Sequence, residues 1–327
     1  MDRKAFADSL NPGRAGYLRD AGLPRRGLAA ALQTAPADGA ADLVARALEI
    51  LAQETARSRP AQALRRGEIA PIPPGPDKSA VKSIVPAARV ERHGLEIQRR
   101  VLSDGTECAL PIRYFDVQCL VATFLAGPER AAELLGRTGL QPVVQEDGKA
   151  VVRLYCIEYR KSDIGPYNEV GLTVLAQAPD EHEPADFVVD LPVTTAVANR
   201  AGREIWGYNK FVAAIDIEKR DKTFTMVLRD SQNGLICTFE GARGPSVPAP
   251  PQDILTFTIH NRRLMKTAIR VLTPFLASRG DGFALKVGTS THPMTSRLRT
   301  AEIDGAQPVL VHYADPFQSL LFPGKTL

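Results

Sequence analysis

The chain has 327 residues, of which 44% are hydrophobic and 24% charged, an ordinary composition for a globular protein large enough to bury a core. Its 41 basic and 37 acidic residues leave a formal net charge of +4, and no basic run carries interleaved aromatic residues, so nothing indicates a nucleic-acid partner. No apolar run reaches the roughly 18–20 residues of a membrane-spanning helix, and the first residues lack the apolar stretch of a signal peptide, so we expect a cytoplasmic protein without a membrane partner.

The first 90 residues differ from the rest of the chain. The stretch "ADLVARALEILAQETARS" predicts an amphipathic helix, with Leu43, Leu48 and Leu51 on one face. Residues 60–90 are rich in proline, which disfavours helix, and they are predicted to form an extended linker. An arm that docks on a neighbouring subunit is the alternative. We therefore divide the chain into a helical extension with its linker, residues 1–90, and a main domain.

The main domain, residues 91–327, is predicted to consist mostly of strands. "VVRLYCIEYR", "VGLTVLAQA", "FVVDLPVTTAVA" and the long stretch from "FVAAIDIEK" to "GLICTFEG" favour strands separated by turns. Only "GPERAAELLGRTG", with Pro128 in its first turn, and "PFQSLLF" are predicted as helices. Many short strands without regularly alternating helices indicate a mainly antiparallel β fold (α+β), built as a closed or nearly closed barrel with a few helices.

The cysteines and histidines do not indicate a metal site or a cofactor. The four cysteines form no CxxC pair, and three of them lie in strand-like apolar runs. We therefore favour buried free thiols over disulfides or metal ligands. The five histidines are dispersed, without the spacing of metal ligands.

The segment "GREIWGYNKF" places a single lysine, Lys210, among aromatic and apolar residues. If "FVAAIDIEK" begins a strand just after this lysine, the alternation of side chains would point Lys210 into the barrel. Burial disfavours the ammonium form of an amine, and a neutral amine attacks ketones to form a Schiff base. The alternative is a lysine at a strand end that points to water.

Two ordered segments resemble signatures of the acetoacetate decarboxylase superfamily. "AGREIWGYNKFVAAI" is similar to the family's active-site segment, where Gly-Arg-Glu precedes an aromatic residue and then the Schiff-base lysine. Upstream, "DIGPYNEVGLTVLAQ" is similar to the family's other signature, in which a glutamate follows a Tyr-x pair. The resemblance covers about residues 95–325, and residues 1–90 have no counterpart in compact family members.

The resemblance implies roles for individual residues. Lys210 stands at the position of the Schiff-base lysine and Glu169 at that of the active-site carboxylate, while Arg113 in "LPIRYFD" is the best candidate for the family's arginine. Arg203 and Glu204 belong to the motif, although a turn with its own ion pair or hydrogen bonds explains them equally well. The residues expected around the substrate are Tyr167, Arg203, Glu204, Trp206 and Tyr208.

One departure from the family pattern concerns the reaction. Family decarboxylases show Pro-Lys-Lys, whereas this chain reads Asn209-Lys210-Phe211, so activation of the lysine has to rest on burial. The resemblance implies a cofactor-independent lyase that decarboxylates a β-keto acid through an imine, and it implies a homo-oligomer. Two alternatives stay open: an aldolase or dehydratase that uses the same imine, and a non-catalytic barrel that binds a small molecule.

Overall fold

Strands make up most of the structure. The computed structural model describes residues 97–327, so the predicted amphipathic helix and the proline-rich linker lie outside the described residues, and the domain boundary near residue 90 stays a prediction. The helices of this range are α1 (Pro128–Leu135), α2 (Ala196–Trp206) and α3 (Pro293–Thr300). The strands are β1 (Gln98–Val101), β2 (Glu107–Leu110), β3 (Ile112–Ala126), β4 (Gln141–Pro142), β5 (Ala150–Ser162), β6 (Tyr167–Gln177), β7 (Ala185–Asp190), β8 (Ala214–Arg220), β9 (Thr223–Arg229), β10 (Leu235–Ala242), β11 (Ser246–Ala249), β12 (Ile254–His260), β13 (Arg263–Val271), β14 (Phe275–Ser278), β15 (Phe283–Val287), β16 (Leu310–Leu321) and β17 (Lys325–Thr326).

Seven of the strands form a closed barrel. Around the ring they run β16, β3, β5, β6, β7, β12 and β13, and β13 pairs with β16 to close it. Neighbouring strands are antiparallel except for β7 and β12, which are parallel. The mainly antiparallel barrel with a few helices that the sequence predicts is therefore confirmed.

Alternation along the barrel strands separates two hydrophobic cores. On β5, Leu154 and Cys156 belong to a core shared with α1, α3 and a second sheet of four strands, β15-β10-β9-β8. Tyr155, Ile157 and Tyr159 point the other way, into a core that fills the barrel interior and includes side chains of α2. Because successive strand residues face opposite sides, the four-stranded sheet covers the outside of the barrel and α2 contributes to its interior.

The two helices predicted in the main domain have different outcomes. The helix around "GPERAAELLGRTG" is confirmed as α1, with Pro128 at its first position. The helix predicted for "PFQSLLF" is wrong, because Phe317 and Leu321 lie in β16, which pairs with both β3 and β13. A short apolar run suits either state, and here the long-range pairing decides. Within residues 97–327, none of the helices is long and apolar enough to span a bilayer. The four cysteines are buried free thiols, as predicted.

Helix α2 occupies sequence that was predicted to continue a strand. The strand predicted through "FVVDLPVTTAVA" ends at Asp190, and the helix begins after Thr195, whose side chain accepts a hydrogen bond from the Ala198 backbone N–H. This is a helix N-cap, which satisfies one of the otherwise free amides of the first turn. The buried face of α2 includes Ala198, Ala201 and Gly202, small residues that let the helix approach the barrel closely.

Candidate active site

The turn after α2 directs the candidate lysine. Gly207 ends the helix in the left-handed conformation, with a φ of 67°, and its N–H donates to the Arg203 carbonyl. The Tyr208 N–H donates to the Gly202 carbonyl at 3.1 Å. A side chain at position 207 would lie 2.7 Å from the Ile259 carbonyl oxygen, so both the positive φ and the close approach require glycine.

Residues 208–213, the lysine segment, run alongside residues 191–193. The Leu191 N–H donates to the Asn209 carbonyl, the Val193 N–H to the Phe211 carbonyl and the Ala213 N–H to the Val193 carbonyl, each at 3.0 Å. This pairing holds the segment extended, so its side chains alternate between two sides. Tyr208 and Lys210 face the barrel interior, whereas Asn209 and Phe211 face α3. The Phe211 ring packs at a tilt against the His292 ring, at 4.1 Å between ring centroids.

Lys210 and Glu169 form a buried pair. The Lys210 Nζ lies 2.5 Å from the Glu169 Oε2, and the two side chains expose only 6% and 8% of their surface. The Arg203 Nη1 donates to the Lys210 carbonyl at 2.9 Å, which fixes the backbone from which the amine projects. Two of the three residues that the sequence predicts as catalytic, Lys210 and Glu169, therefore meet, although they lie on different elements.

Tyrosines surround the pair. Tyr114, Tyr159 and Tyr167, here called the tyrosine cluster, pack together with ring centroids 4.7 Å (Tyr114 to Tyr159, tilted) and 4.3 Å (Tyr159 to Tyr167, stacked) apart. The Lys210 Nζ lies 5.7 Å from the ring centroid of Tyr167 and 5.9 Å from that of Tyr208, within the range of cation–π attraction. Burial raises the pKa of all four hydroxyls, so they remain protonated and serve as hydrogen-bond donors at neutral pH.

Arg113 lies away from the pair. Its Nε and Nη2 donate to the two carboxylate oxygens of Asp163 at 2.9 and 3.0 Å, and its guanidinium lies over the Phe115 ring. Tyr114, the next residue on β3, points into the barrel, so alternation puts Arg113 on the opposite face. A contact between Arg113 and a substrate carboxylate stays a prediction, and it would compete with a bidentate ion pair that already exists.

The remaining predicted residues have structural partners. Glu204 accepts hydrogen bonds from the Ser103 backbone N–H at 2.8 Å and from the Ser103 hydroxyl at 2.5 Å. The Trp206 Nε1 donates to the Phe322 carbonyl at 2.8 Å. The Tyr208 hydroxyl is hydrogen-bonded to the Thr256 hydroxyl. Tyr167 and Tyr208 thus lie within cation–π distance of the amine, whereas Glu204 and Trp206 connect α2 to neighbouring segments.

Sequence reasoning missed a carboxylate behind the lysine segment. Asp190 is fully buried, and its Oδ1 accepts from the Asn209 Nδ2 at 2.9 Å and from the Arg297 Nη1 of α3 at 2.6 Å. Its Oδ2 has no hydrogen-bond partner among the described residues. Burial raises the pKa of Asp190 from 3.8 to about 7, although Arg297 opposes the shift. Asn209 therefore connects this carboxyl to the residue next to the lysine.

The raised pKa of Asp190 predicts how stability depends on pH. Between pH of about 4 and about 7 the folded chain binds a proton at Asp190 that the unfolded chain has released, so this carboxyl makes the folded state less stable as pH rises through that window. We expect the Tm of Asp190→Asn, compared with that of the native chain at the same pH, to increase as the pH rises from 4 to 7. Asp230→Asn is the control, because a hydrogen bond from Ser290 lowers the pKa of Asp230 and its contribution has the opposite sign. A Tm difference for Asp190→Asn that does not change with pH would contradict this prediction.

The protein is a closed β-barrel whose interior holds a buried lysine–glutamate pair surrounded by tyrosine side chains. The chain belongs to the acetoacetate decarboxylase family: the family model described as acetoacetate decarboxylase (ADC) matches residues 101–272, slightly more than half of the chain. A search of curated proteins gave no match.

Solved structures share the fold at low sequence identity. An acetoacetate decarboxylase from Legionella pneumophila aligns with a TM-score of 0.53 and 18% identity, over 66% of this chain and 87% of its own. The enduracididine biosynthesis enzyme MppR, solved in complex with pyruvate, aligns with a TM-score of 0.52 and 13% identity, over 66% of this chain and 90% of its own. At these identities the alignments establish the shared fold.

Proposed function

We propose that this chain is a lyase that forms an imine between Lys210 and the ketone of an oxo acid, and that its reaction is the decarboxylation of a β-keto acid. The observation that carries the proposal is the buried contact between the Lys210 amine and the Glu169 carboxylate. A buried amine without a chemical role would only cost free energy, whereas one that exchanges its proton with a neighbouring carboxylate becomes a nucleophile.

The proposed reaction follows from these two groups. Glu169 accepts a proton from the Lys210 ammonium, and the neutral amine adds to the ketone carbon. Glu169 then returns a proton to the departing hydroxyl, which leaves as water, and a protonated imine remains. The imine accepts the electron pair of the breaking carbon–carbon bond, carbon dioxide departs, and an enamine forms. Protonation of the enamine carbon and hydrolysis of the resulting imine release the ketone and restore the lysine.

A second reaction of the same imine is favoured by one observation. Phe211, which stands where family decarboxylases have a second lysine, points away from the amine and packs against His292. Arg113 is also engaged by Asp163, so neither residue adds a cation beside Lys210. An enamine formed from an α-oxo acid would attack an aldehyde instead of losing carbon dioxide. A structure of MppR holds the condensation product of pyruvate and imidazole 4-carboxaldehyde, and we extend that reaction class to this chain as the second candidate.

Reductive trapping tests the proposal. The protein would be incubated with acetoacetate, or separately with pyruvate, in the presence of cyanoborohydride, and the modified residue would be mapped by mass spectrometry. We expect one adduct, on Lys210. Release of carbon dioxide from acetoacetate would assign the decarboxylase, whereas an adduct with pyruvate that condenses with an added aldehyde would assign the aldolase. Folded protein without any adduct would contradict both and favour a barrel that only binds its ligand.

The close approach of Lys210 to Gly202 predicts that a side chain at position 202 would interfere with reductive trapping. A Cβ at this position would lie 2.5 Å from both the Cδ and the Cε of Lys210, and the buried lysine has little room to move aside. We expect Gly202→Ala to displace the amine from Glu169 and to slow trapping by about 10²-fold, as a misplacement of about 1 Å does in other enzymes. Gly244→Ala is the control, because a Cβ there meets no atom within 4 Å. Normal trapping by folded Gly202→Ala would contradict this prediction.

A further inference from the structure

The two oxygens of Glu169 have different partners. Oε2 faces the Lys210 amine, and Oε1 accepts a hydrogen bond from the Tyr159 hydroxyl at 3.0 Å. Tyr159 lies on β5 and Glu169 on the adjacent β6, and both side chains are buried. Sequence reasoning did not select Tyr159, because nothing in "RLYCIEYR" distinguishes it from the other aromatic residues of the strand.

The Tyr159 ring is held by two neighbouring rings. It stacks on the Tyr167 ring and packs at a tilt of 39° against the Tyr114 ring, and the hydroxyls of Tyr114 and Tyr167 lie 3.4 Å from one another. A ring fixed in this way keeps its hydroxyl in one place, so the carboxylate that accepts from it is fixed as well. Burial raises the pKa of the Tyr159 hydroxyl well above its ordinary value, so the phenol donates a proton to the hydrogen bond without losing it.

We propose that Tyr159 is a positioning residue: its hydrogen bond keeps the Glu169 carboxylate turned toward Lys210 and stabilises the charged form of that carboxylate. The role rests on the proposed imine chemistry. With Oε1 occupied by Tyr159, the proton that leaves the Lys210 ammonium is received on Oε2, the oxygen next to the amine, and is returned from there. No proton is taken from the phenol and no bond to the substrate involves it.

The hydrogen bond has a predicted effect on the pH profile. The lysine–glutamate pair reacts in the form that holds one proton, and a second proton inactivates it. A hydrogen bond to the carboxylate opposes the uptake of that second proton. Without the bond the reactive form is lost at a higher pH, so the acidic limb of the plot of trapping rate against pH moves to higher pH. General loosening of the barrel would instead lower the rate at every pH.

Tyr155 provides a matched control on the same strand and the same face. Its hydroxyl donates to a different buried carboxylate, Asp186, at 2.7 Å, so Tyr155→Phe removes the same kind of hydrogen bond away from the lysine. The experiment measures cyanoborohydride trapping of pyruvate or acetoacetate on Lys210 against pH, for the native chain, Tyr159→Phe and Tyr155→Phe. We expect the acidic limb of Tyr159→Phe to move up by about one pH unit, which is about tenfold less trapping on the acid side, and that of Tyr155→Phe to stay in place.

The outcomes separate the two proposals. An unmoved limb in Tyr159→Phe, or an equal shift in both variants, overturns the role of Tyr159 while the imine chemistry stands. If the native chain forms no adduct with either compound, the proposed function fails and the role of Tyr159 fails with it. If Tyr159→Phe does not fold, 3-fluorotyrosine introduced at position 159 strengthens the donor, and the limb is then expected to move to lower pH. An unmoved limb in that protein overturns the role as well.

Discussion

Lys210→Met is expected to abolish imine trapping completely, because no other lysine of residues 97–327 lies against Glu169. The substitution is also expected to destabilise the fold at neutral pH by about 3–5 kcal/mol, since it leaves the buried Glu169 carboxylate without its partner. Acidification should recover part of this loss, because a protonated carboxyl carries no charge. Trapping is measured by mass spectrometry and stability by denaturant unfolding across pH.

Two further variants separate the chemical and structural effects of that change. The double variant Lys210→Met/Glu169→Gln removes both charges, so stability should return while trapping stays absent. Lys266→Met removes a lysine that pairs with Glu181 and Glu183 elsewhere on the barrel, and trapping should be unaffected. An adduct that persists in Lys210→Met would show that another amine is the nucleophile.

Glu169→Gln is expected to slow imine formation by about 10³-fold, a typical effect of losing a general acid–base group. Glutamine still accepts a hydrogen bond from Tyr159, but it cannot take a proton from the Lys210 ammonium or give one to the departing hydroxyl. The amine itself stays in place. Its labelling by acetic anhydride at alkaline pH, where hydroxide instead of Glu169 can take the proton from the amine, should therefore persist, while trapping of a keto acid falls.

The comparison of these two reactions is what makes the Glu169 experiment decisive. Loss of both labelling and trapping would mean that the variant has displaced the lysine. Retention of both at the native rate would mean that Glu169 takes no part in proton transfer. Asp186→Asn, a change to another buried carboxylate that accepts from a tyrosine, should leave both rates unchanged.

Much of the site follows from local sequence. The extended conformation after Gly207 could be anticipated from the strand pattern that follows it, and alternation then places Lys210 inside the barrel and Phe211 outside. Glu169 was identified through a resemblance between motifs. Its contact with Lys210 depends on how β6, residues 191–193 and the lysine segment align, and only the folded chain supplies that alignment.

The residues that sequence reasoning missed depend on contacts between distant segments. Tyr159 differs from Tyr155 only in which carboxylate stands opposite, and the pairing of β5 with β6, and of β6 with β7, decides that. Asp190 meets Arg297 because α3 packs outside the barrel at that point. Arg113 shows the converse case: its motif suggested a place in the site, but its position on β3 turns it toward Asp163.

The strand that closes the barrel determines when, during synthesis of the chain, the candidate site is completed. β16 is the last barrel strand to be synthesised, and it pairs with β3, the first, as well as with β13. A nascent chain that lacks residues 310–321 has unpaired edges on both of those strands and an interior open to water. Lys210 and Glu169 have both left the ribosome by then, but the dry surroundings on which the proposed chemistry depends do not yet exist. The reactivity toward ketones that we propose would therefore be acquired late in synthesis, as a property of the completed ring.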